Sequence, residues 1–238
     1  MSLALASLAA FGLALLSAVA GFGGGVLLLP VFTALFGLRM AVPVLTLTQL
    51  SSNGARLWFN RRLLAWPLVG WFAAGAVPLA FAGGLLLAHA PLEPLTRLLG
   101  AFLVAVVAWR RLAPHPAPPA PRAFAAVGAA SGLGSALLGS VGPLTAPFFL
   151  AYGLSRGAYI GTEAAAALTM HTTKLAAYGA GDLLTLPVLR YALALTPATL
   201  LGAWAGKALL TRITEKAFTA LVEAGLLAAG ALFLSGLA

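Results

Sequence analysis

The stretch GFGGGVLLLP, from Gly21 to Pro30, has four glycines in its first five residues. No charged residue precedes Arg39, so these glycines lie inside a long apolar run. An unbroken helix would lose roughly 1 kcal/mol for each glycine relative to alanine, which indicates that the helix is interrupted here. In lipid, an interrupted backbone persists only where protein or a water-filled cavity covers it. We therefore expect this stretch to lie inside a membrane protein, at its binding site.

The composition of the whole chain is that of an integral membrane protein. Of its 238 residues, 61% are hydrophobic and 8% are charged, and the mean hydropathy is +1.01. A soluble domain has about 25% charged residues. The net charge of +9 would suit nucleic acid, but most of the cations fall in short loops between apolar runs, a pattern that orients membrane proteins. We expect no nucleic-acid partner, and the absence of cysteine excludes thiolate metal or redox sites.

The second half of the chain repeats features of the first. The stretch GSVGPLTAP, from Gly139 to Pro147, is a weaker copy of the glycine-rich break. Three residues recur 117 positions later, where Pro30, Arg39 and Ala41 correspond to Pro147, Arg156 and Ala158. Each half contains four apolar runs, and internal duplication is a common way to build a transporter. The sequence therefore predicts an all-α polytopic membrane protein made of two four-segment repeats.

A proline-rich segment, APHPAPPAP at residues 113–121, separates the two halves. It cannot be helical and has few backbone donors, so it is typical of an extended linker in water. We predict a first transmembrane repeat at 1–112, a cytoplasmic linker at 113–122 and a second repeat at 123–238. The first apolar run lacks a basic N-terminal region, and we expect it to be mature structure rather than a cleaved signal.

The loop cations bear on the topology. If all eight runs crossed the membrane, the cations would divide evenly and give no orientation. If the first run of each half instead turns back at its glycines as a hairpin, only Arg39, Arg97 and Arg190 fall on the minority side. The positive-inside rule favours this arrangement, with both termini extracytoplasmic. Three crossings per half make the repeats inverted; a single broken, tilted span is the alternative that stays open.

The hairpin gives the glycines a chemical role. Half-helices that begin near Val26 and Leu144 would present unpaired N–H groups and about half a positive charge to the break. Two such ends form an anion site, which glycine lets a ligand approach closely. The alternative is close helix packing by small residues. The predicted substrate-binding residues of the breaks are Gly23, Gly24, Gly25, Gly139, Ser140 and Gly142.

Polar side chains share one face of the next run in each half. The first set is Gln49, Ser52, Asn53 and Arg56, and the second is Glu163, His171, Lys174 and Tyr178. Their spacing places each set on one side of a helix whose other faces are apolar. Polar and ionisable residues at membrane depth are functional candidates, because a buried charge there costs at least a few kcal/mol. We predict that both sets bind the substrate, except Glu163, which is a candidate for coupling.

The expected contribution of each intramembrane cation to substrate binding depends on its distance from the ends of its apolar run. Lys174 is expected to supply the main full charge to the substrate, and Arg56 to contribute less because it lies closer to an interface. Snorkelling of either cation to the interface is the alternative. Glu163 is either a proton carrier or the counter-ion of Lys174 or Arg156. The role of Glu223 stays undecided.

Three motifs together resemble the TauE/SafE sulfite exporter family. They are GFGGGVLLLP, the run QLSSNGARLWFNRR that begins at Gln49, and TMHTTKLAAYG, which begins at Thr169. The resemblance covers essentially the whole chain and implies a prokaryotic plasma-membrane carrier for small sulfur-containing or carboxylate anions, such as sulfite, sulfoacetate or thiosulfate. Glu163 departs from the pattern, because a small or apolar residue is expected after Gly161 and Thr162. The coupling ion is therefore in doubt.

Three classes of function are compatible with these features to different degrees. A secondary transporter for a small anion accounts for the repeats, the broken helices and the paired polar faces. An anion channel shares these features. A membrane-embedded enzyme is less favoured, because no hydrolase or phosphate-binding motif is present and three histidines make no convincing metal site. We predict no cofactor or metal, and leave open the anion, the direction of transport, coupling to protons or sodium, and a homodimer.

Overall fold

The computed structural model describes residues 7–12, 15, 25–112, 118–139 and 142–209, together with parts of 220–235. Within these ranges the chain is helical and has no strand, which confirms the predicted all-α class. Eight of the helices have defined bounds. They are α1 (Gly25–Phe36), α2 (Leu38–Asn60), α3 (Trp66–His89), α4 (Leu92–Leu112), α5 (Ala123–Leu138), α6 (Gly142–Ala151), α7 (Arg156–Ala180) and α8 (Leu186–Leu209).

Five helices, α2, α3, α4, α7 and α8, have the length of membrane spans. They contain 21 to 25 residues, and about 20 residues cross the hydrocarbon core of a bilayer. Among the described residues, α3 alone is both long enough and apolar enough to qualify by length and composition. The outer face of α8 also suits lipid, because Leu193, Leu201 and Trp204 are well exposed. By contrast, α2 and α7 place polar residues in the interior of the bundle.

Two hydrogen bonds define the two ends of the bundle. At one end, which we call the Asn60 end, the backbone N–H of Ala65 donates to Thr162 Oγ1 at 3.0 Å. At the other, the Ala90 end, Arg39 Nη2 donates to the carbonyl oxygen of Ala90 at 2.8 Å. Helix α2 therefore runs from the Ala90 end to the Asn60 end, and α3 returns. Helix α7 begins at the Asn60 end and runs parallel to α3 and antiparallel to α2.

Helices α3 and α5 pack backbone against backbone along a line of glycines, which we call the α3–α5 seam. A β-carbon at Gly128 would lie 2.0 Å from the carbonyl oxygen of Phe72, and one at Gly132 would lie 2.5 Å from that of Ala76. Residues further along α5 contact residues further along α3, so the two helices are parallel. Small residues allow this approach, in the way that they do in other helix pairs in membranes.

Helices α5 and α6 form a hairpin that enters the bundle and turns back. Phe124, in the first turn of α5, contacts Phe149 and Tyr152 at the end of α6, with ring centroids 4.8 and 5.9 Å apart. Both outer ends of the hairpin thus lie at the Asn60 end, while its turn near Gly139 is buried. In the second half, the helices on either side of the glycine-rich break therefore lie side by side, as they would in the predicted hairpin.

The corresponding turn of the first half, at residues 16–24, lies outside the described residues. Helix α1 follows it and ends at the Ala90 end, where Phe36 packs on Tyr191 with centroids 4.7 Å apart. Near its start, the side chain of Leu29 is fully buried and lies against Gly139. Helices α1 and α6 therefore start in the interior and run towards opposite ends.

The end of the chain packs on α4. Gly100 and Gly230 approach so closely that a β-carbon at Gly100 would lie 2.8 Å from the carbonyl oxygen of Gly230. Glu223, whose role the sequence left undecided, accepts hydrogen bonds from Arg111 Nη2 at 2.8 Å and Nε at 3.0 Å. This carboxylate therefore has a structural partner between α4 and the last segment.

Candidate functional site

A small cavity lies between α2, α6 and α7, with α3 behind it. It leaves about 20 Å³ for the centres of water molecules, which is room for about one water. Its polar wall is formed by Gln49, Asn53, Arg56, Thr145, Glu163 and His171, and Gly142 begins α6 at its edge. Phe72, Phe149, Ala166, Ala167 and Met170 form its apolar wall. The cavity thus combines polar groups from two antiparallel helices with the start of a third.

An ion pair between α2 and α7 dominates the cavity. Arg56 Nη1 donates to Glu163 Oε2 at 3.1 Å, and Arg56 Nη2 donates to Asn53 Oδ1. The side chain of Glu163 is 5% exposed and that of Arg56 19%. A pair this far from water is stable only with such additional hydrogen bonds. The partner of Glu163 in this ion pair is thus Arg56, and Lys174, one of the two expected partners, bonds elsewhere. The side chain of Arg156, the other expected partner, lies outside the described residues.

The N-terminus of α6 faces the same cavity. Helix α6 begins at Gly142, where the first N–H groups of the helix have no intrahelical partner. Thr145 Oγ1 donates to the carbonyl oxygen of Gly142 at 3.0 Å, inside this first turn. These N–H groups and the partial positive charge of the helix end favour an anion. This end of the cavity is therefore electropositive without carrying a full charge.

His171 adds an unsatisfied polar atom to the wall. The residue is 4% exposed, and its Nδ1 has no hydrogen-bond partner within the part of the chain that the structure describes. Buried polar atoms without a partner are uncommon, and a functional site is one reason for them. A bound molecule with an oxygen or a hydroxyl group would give this nitrogen a partner.

Lys174 does not line the cavity, contrary to the sequence-based ranking of the cations. Its side chain is fully buried, and Nζ donates to Ser135 Oγ at 2.9 Å and to the carbonyl oxygen of Gly139 at 3.0 Å. Tyr178 likewise donates to the carbonyl oxygen of Ala136 at 2.8 Å. Both side chains donate hydrogen bonds to carbonyl groups at the C-terminal end of α5. The positive charge of Lys174 also interacts favourably with the helix dipole at this end. Lys174 and Tyr178 therefore hold the turn of the α5–α6 hairpin.

The remaining predicted residues are one serine of α2 and the residues of the two glycine-rich breaks. Ser52 is half-buried and does not line the cavity. Gly139 ends α5 with φ of +80°, a conformation that favours glycine. Gly25 is the first residue of α1. Gly23, Gly24 and Ser140 lie outside the described residues.

Thr145 and the apolar wall are site features that were not predicted from the sequence. Thr145 stands inside the stretch GPLTAP, three residues after Gly142, and the hairpin model could have identified it from that position. Phe72, Phe149 and Met170 carried no signal, because apolar residues dominate the whole sequence. Among the described residues, no group of three or more His, Asp or Glu side chains could hold a metal ion.

Replacing Lys174 with glutamine should reduce stability rather than anion affinity. The change removes charge-assisted hydrogen bonds to Ser135 and Gly139, which are worth about 1.5–3 kcal/mol. We expect a lower unfolding temperature in thermal denaturation of the purified protein and a dissociation constant for a bound oxyanion within about threefold of wild type. Tyr178→Phe, which removes one hydrogen bond from the same helix end, should give a smaller loss. An unchanged unfolding temperature together with a large loss of affinity would return Lys174 to the binding site.

The comparison with known families agrees with the resemblance noted in the sequence. The model of the family described as sulfite exporter TauE/SafE matches residues 6–233. No curated protein and no solved structure matches the chain significantly. The family match spans both halves and all eight helices with defined bounds. The chain therefore belongs to the sulfite exporter TauE/SafE family of multi-pass membrane transporters.

Proposed function

We propose that the protein is a secondary transporter that moves a small sulfur-containing or carboxylate anion across the prokaryotic plasma membrane. The observation that carries the proposal is the position of Arg56. It lies in a cavity between two helices of membrane-spanning length, beside the N-terminus of a third helix. Sulfite, sulfoacetate and thiosulfate are the candidate substrates.

The chemistry of the cavity suits an oxyanion. The guanidinium group of Arg56 is planar and offers paired N–H donors that match the spacing of sulfonate or carboxylate oxygens. Gln49 and Asn53 are buried beside it and provide amide groups. The start of α6 adds backbone donors on the facing side.

The directions of the helices support a duplicated, inverted architecture. Helix α2 of the first half and α7 of the second run antiparallel, and α1 and α6 leave the interior in opposite directions. We propose that these are the equivalent elements of two inverted repeats. In transporters built this way, the binding site lies between the repeats near the middle of the membrane. The cavity between α2, α6 and α7 has this position in our proposal.

The orientation of the protein is predicted from the charges at the Asn60 end, which we propose to be cytoplasmic. The chain has no cysteine, so single cysteines can be labelled without background. A cysteine in place of Glu93, at the Ala90 end, should react with an impermeant maleimide in intact cells. A cysteine in place of Ala120, in the linker, should react only after permeabilisation. The reverse pattern would overturn the orientation.

Transport by purified protein in liposomes tests the function directly. Labelled sulfite, sulfoacetate and thiosulfate should enter liposomes that contain the protein and accumulate above their external concentration when an ion gradient is imposed. Flux that only dissipates the anion gradient would favour the anion channel. Absence of flux for all three anions under proton and sodium gradients would contradict the proposed substrate class.

A further inference from the structure

In the structure, the cation of the site already forms an ion pair with a carboxylate of the protein itself. Glu163 Oε2 accepts a hydrogen bond from Arg56 Nη1 at 3.1 Å. Arg56 Nη2 donates to Asn53, so an anion that binds both terminal nitrogens of the guanidinium group must displace Glu163. The inference below rests on the proposed function, because it takes Arg56 as the group that binds the anion. Binding then requires that Glu163 gives up its partner.

The surroundings of Glu163 offer no second cation to the displaced carboxylate within the described part of the chain. The charged or titratable groups in the cavity wall besides Glu163 are Arg56, from α2, and His171, from α7 itself. Helix α3 contributes Phe72, and α6 contributes Thr145 and Phe149. Lys174 lies three turns further along α7 and is bonded to Ser135 and Gly139. Among the described residues, an ionised Glu163 that has left Arg56 would therefore be buried beside His171 and weakly polar or apolar groups.

A buried carboxylate without a partner is destabilised far more than its neutral form, and such groups become neutral by taking up a proton. We propose that Glu163 takes up one proton when an anion binds to Arg56, so that the protein co-transports one proton with each anion. The proton comes from water and joins the oxygen that Arg56 releases. It leaves again when the anion departs and Glu163 returns to Arg56.

This exchange determines whether the affinity for the anion rises or falls with pH. In the anion-free protein Glu163 is ionised and paired, and in the anion complex it is protonated. Binding therefore consumes a proton and weakens as the pH rises. For one proton the dissociation constant increases about tenfold for each pH unit throughout the range in which Glu163 is ionised in the anion-free protein.

Calorimetry with thiosulfate and with sulfoacetate measures how many protons the protein takes up when it binds the anion. Neither anion has a group that titrates near neutral pH, so any proton taken up belongs to the protein. Titrations of the wild-type protein near pH 7 and pH 8, each in two buffers with different ionisation enthalpies, should show uptake of about one proton per anion. Glu163→Gln should bind without proton uptake, and its affinity should not depend on pH over this range.

Glu93→Gln is the matched control. Its carboxylate is exposed at the Ala90 end and pairs with Arg97 at 2.7 Å, one turn away on the same helix. Removing it changes the same chemical group far from the cavity, so proton uptake and the pH dependence should equal those of wild type. The wild-type titrations decide the question without any variant if Glu163→Gln does not fold.

Each contrary result has a distinct meaning. Binding by wild type without proton uptake would overturn the coupling and leave the anion site in place. Undiminished uptake in Glu163→Gln would assign the proton to another group, such as His171, and would also overturn the inference. Failure of thiosulfate, sulfoacetate and sulfite to bind at all would contradict the proposed function itself.

Discussion

Replacing Arg56 with glutamine is expected to weaken binding of thiosulfate or sulfoacetate by about ten- to a hundredfold. The change removes the full positive charge from the cavity, and hydrogen bonds to a charged group contribute roughly 1.5–3 kcal/mol each. The N-terminus of α6 and the amides of Gln49 and Asn53 remain, so some affinity should persist. Calorimetry on the purified protein measures the difference.

The double variant Arg56→Gln, Glu163→Gln separates binding from folding. The single change leaves Glu163 buried without its cation, and breaking such a pair typically costs about 3–5 kcal/mol. The double variant replaces the pair by two neutral amides, so its unfolding temperature should recover while its affinity stays low. Arg56→Lys should be intermediate in binding, because lysine keeps the charge but lacks the planar fork. Wild-type affinity in both the single and the double variant would remove Arg56 from the site.

Replacing Gly128 with leucine is expected to abolish the recovery of folded protein. The first carbon of any side chain at this position would lie 2.0 Å from the backbone carbonyl oxygen of Phe72. Overpacking of a core usually costs about 1–3 kcal/mol when side chains can move aside. Here the obstacle is backbone, so α3 and α5 must separate along the seam. Size-exclusion chromatography of the detergent-solubilised protein should show aggregated or absent material.

Gly70→Leu is the control for this change. Gly70 belongs to α3 as well, but a β-carbon there meets nothing within 4 Å. The variant should elute as the wild type and unfold within a few degrees of it. Equal behaviour of Gly128→Leu and Gly70→Leu would show that the seam tolerates side chains and that the glycines have another purpose.

The elements of the fold could be predicted from the sequence because each has a local cause. Glycine clusters break helices, and the break before α6 turns the chain as the loop charges suggested. The spacing of Asn53 and Arg56 puts both on one face of α2, and both line the cavity. These inferences need only the periodicity of a helix and the cost of a charge in lipid.

The pairing of charges could not be predicted in the same way. Arg56 and Glu163 are 107 residues apart in the chain, and their contact depends on how α2 and α7 align. Lys174 seemed the stronger ligand because it lies far from both ends of its helix. Its actual neighbours, Ser135 and Gly139, come within reach only because the α5–α6 hairpin ends beside α7. A rule based on depth in the membrane could not distinguish these partners.

The α3–α5 seam joins a helix of the first half to a helix of the second. At Gly128 and Gly132 the two backbones are in direct contact, so α3 and α5 cannot separate without losing this packing. Lys174 also links α5 to α7. These contacts therefore join helices of both halves. If the proposed transport proceeded by rocking one half of the chain against the other as intact bodies, these contacts would have to break.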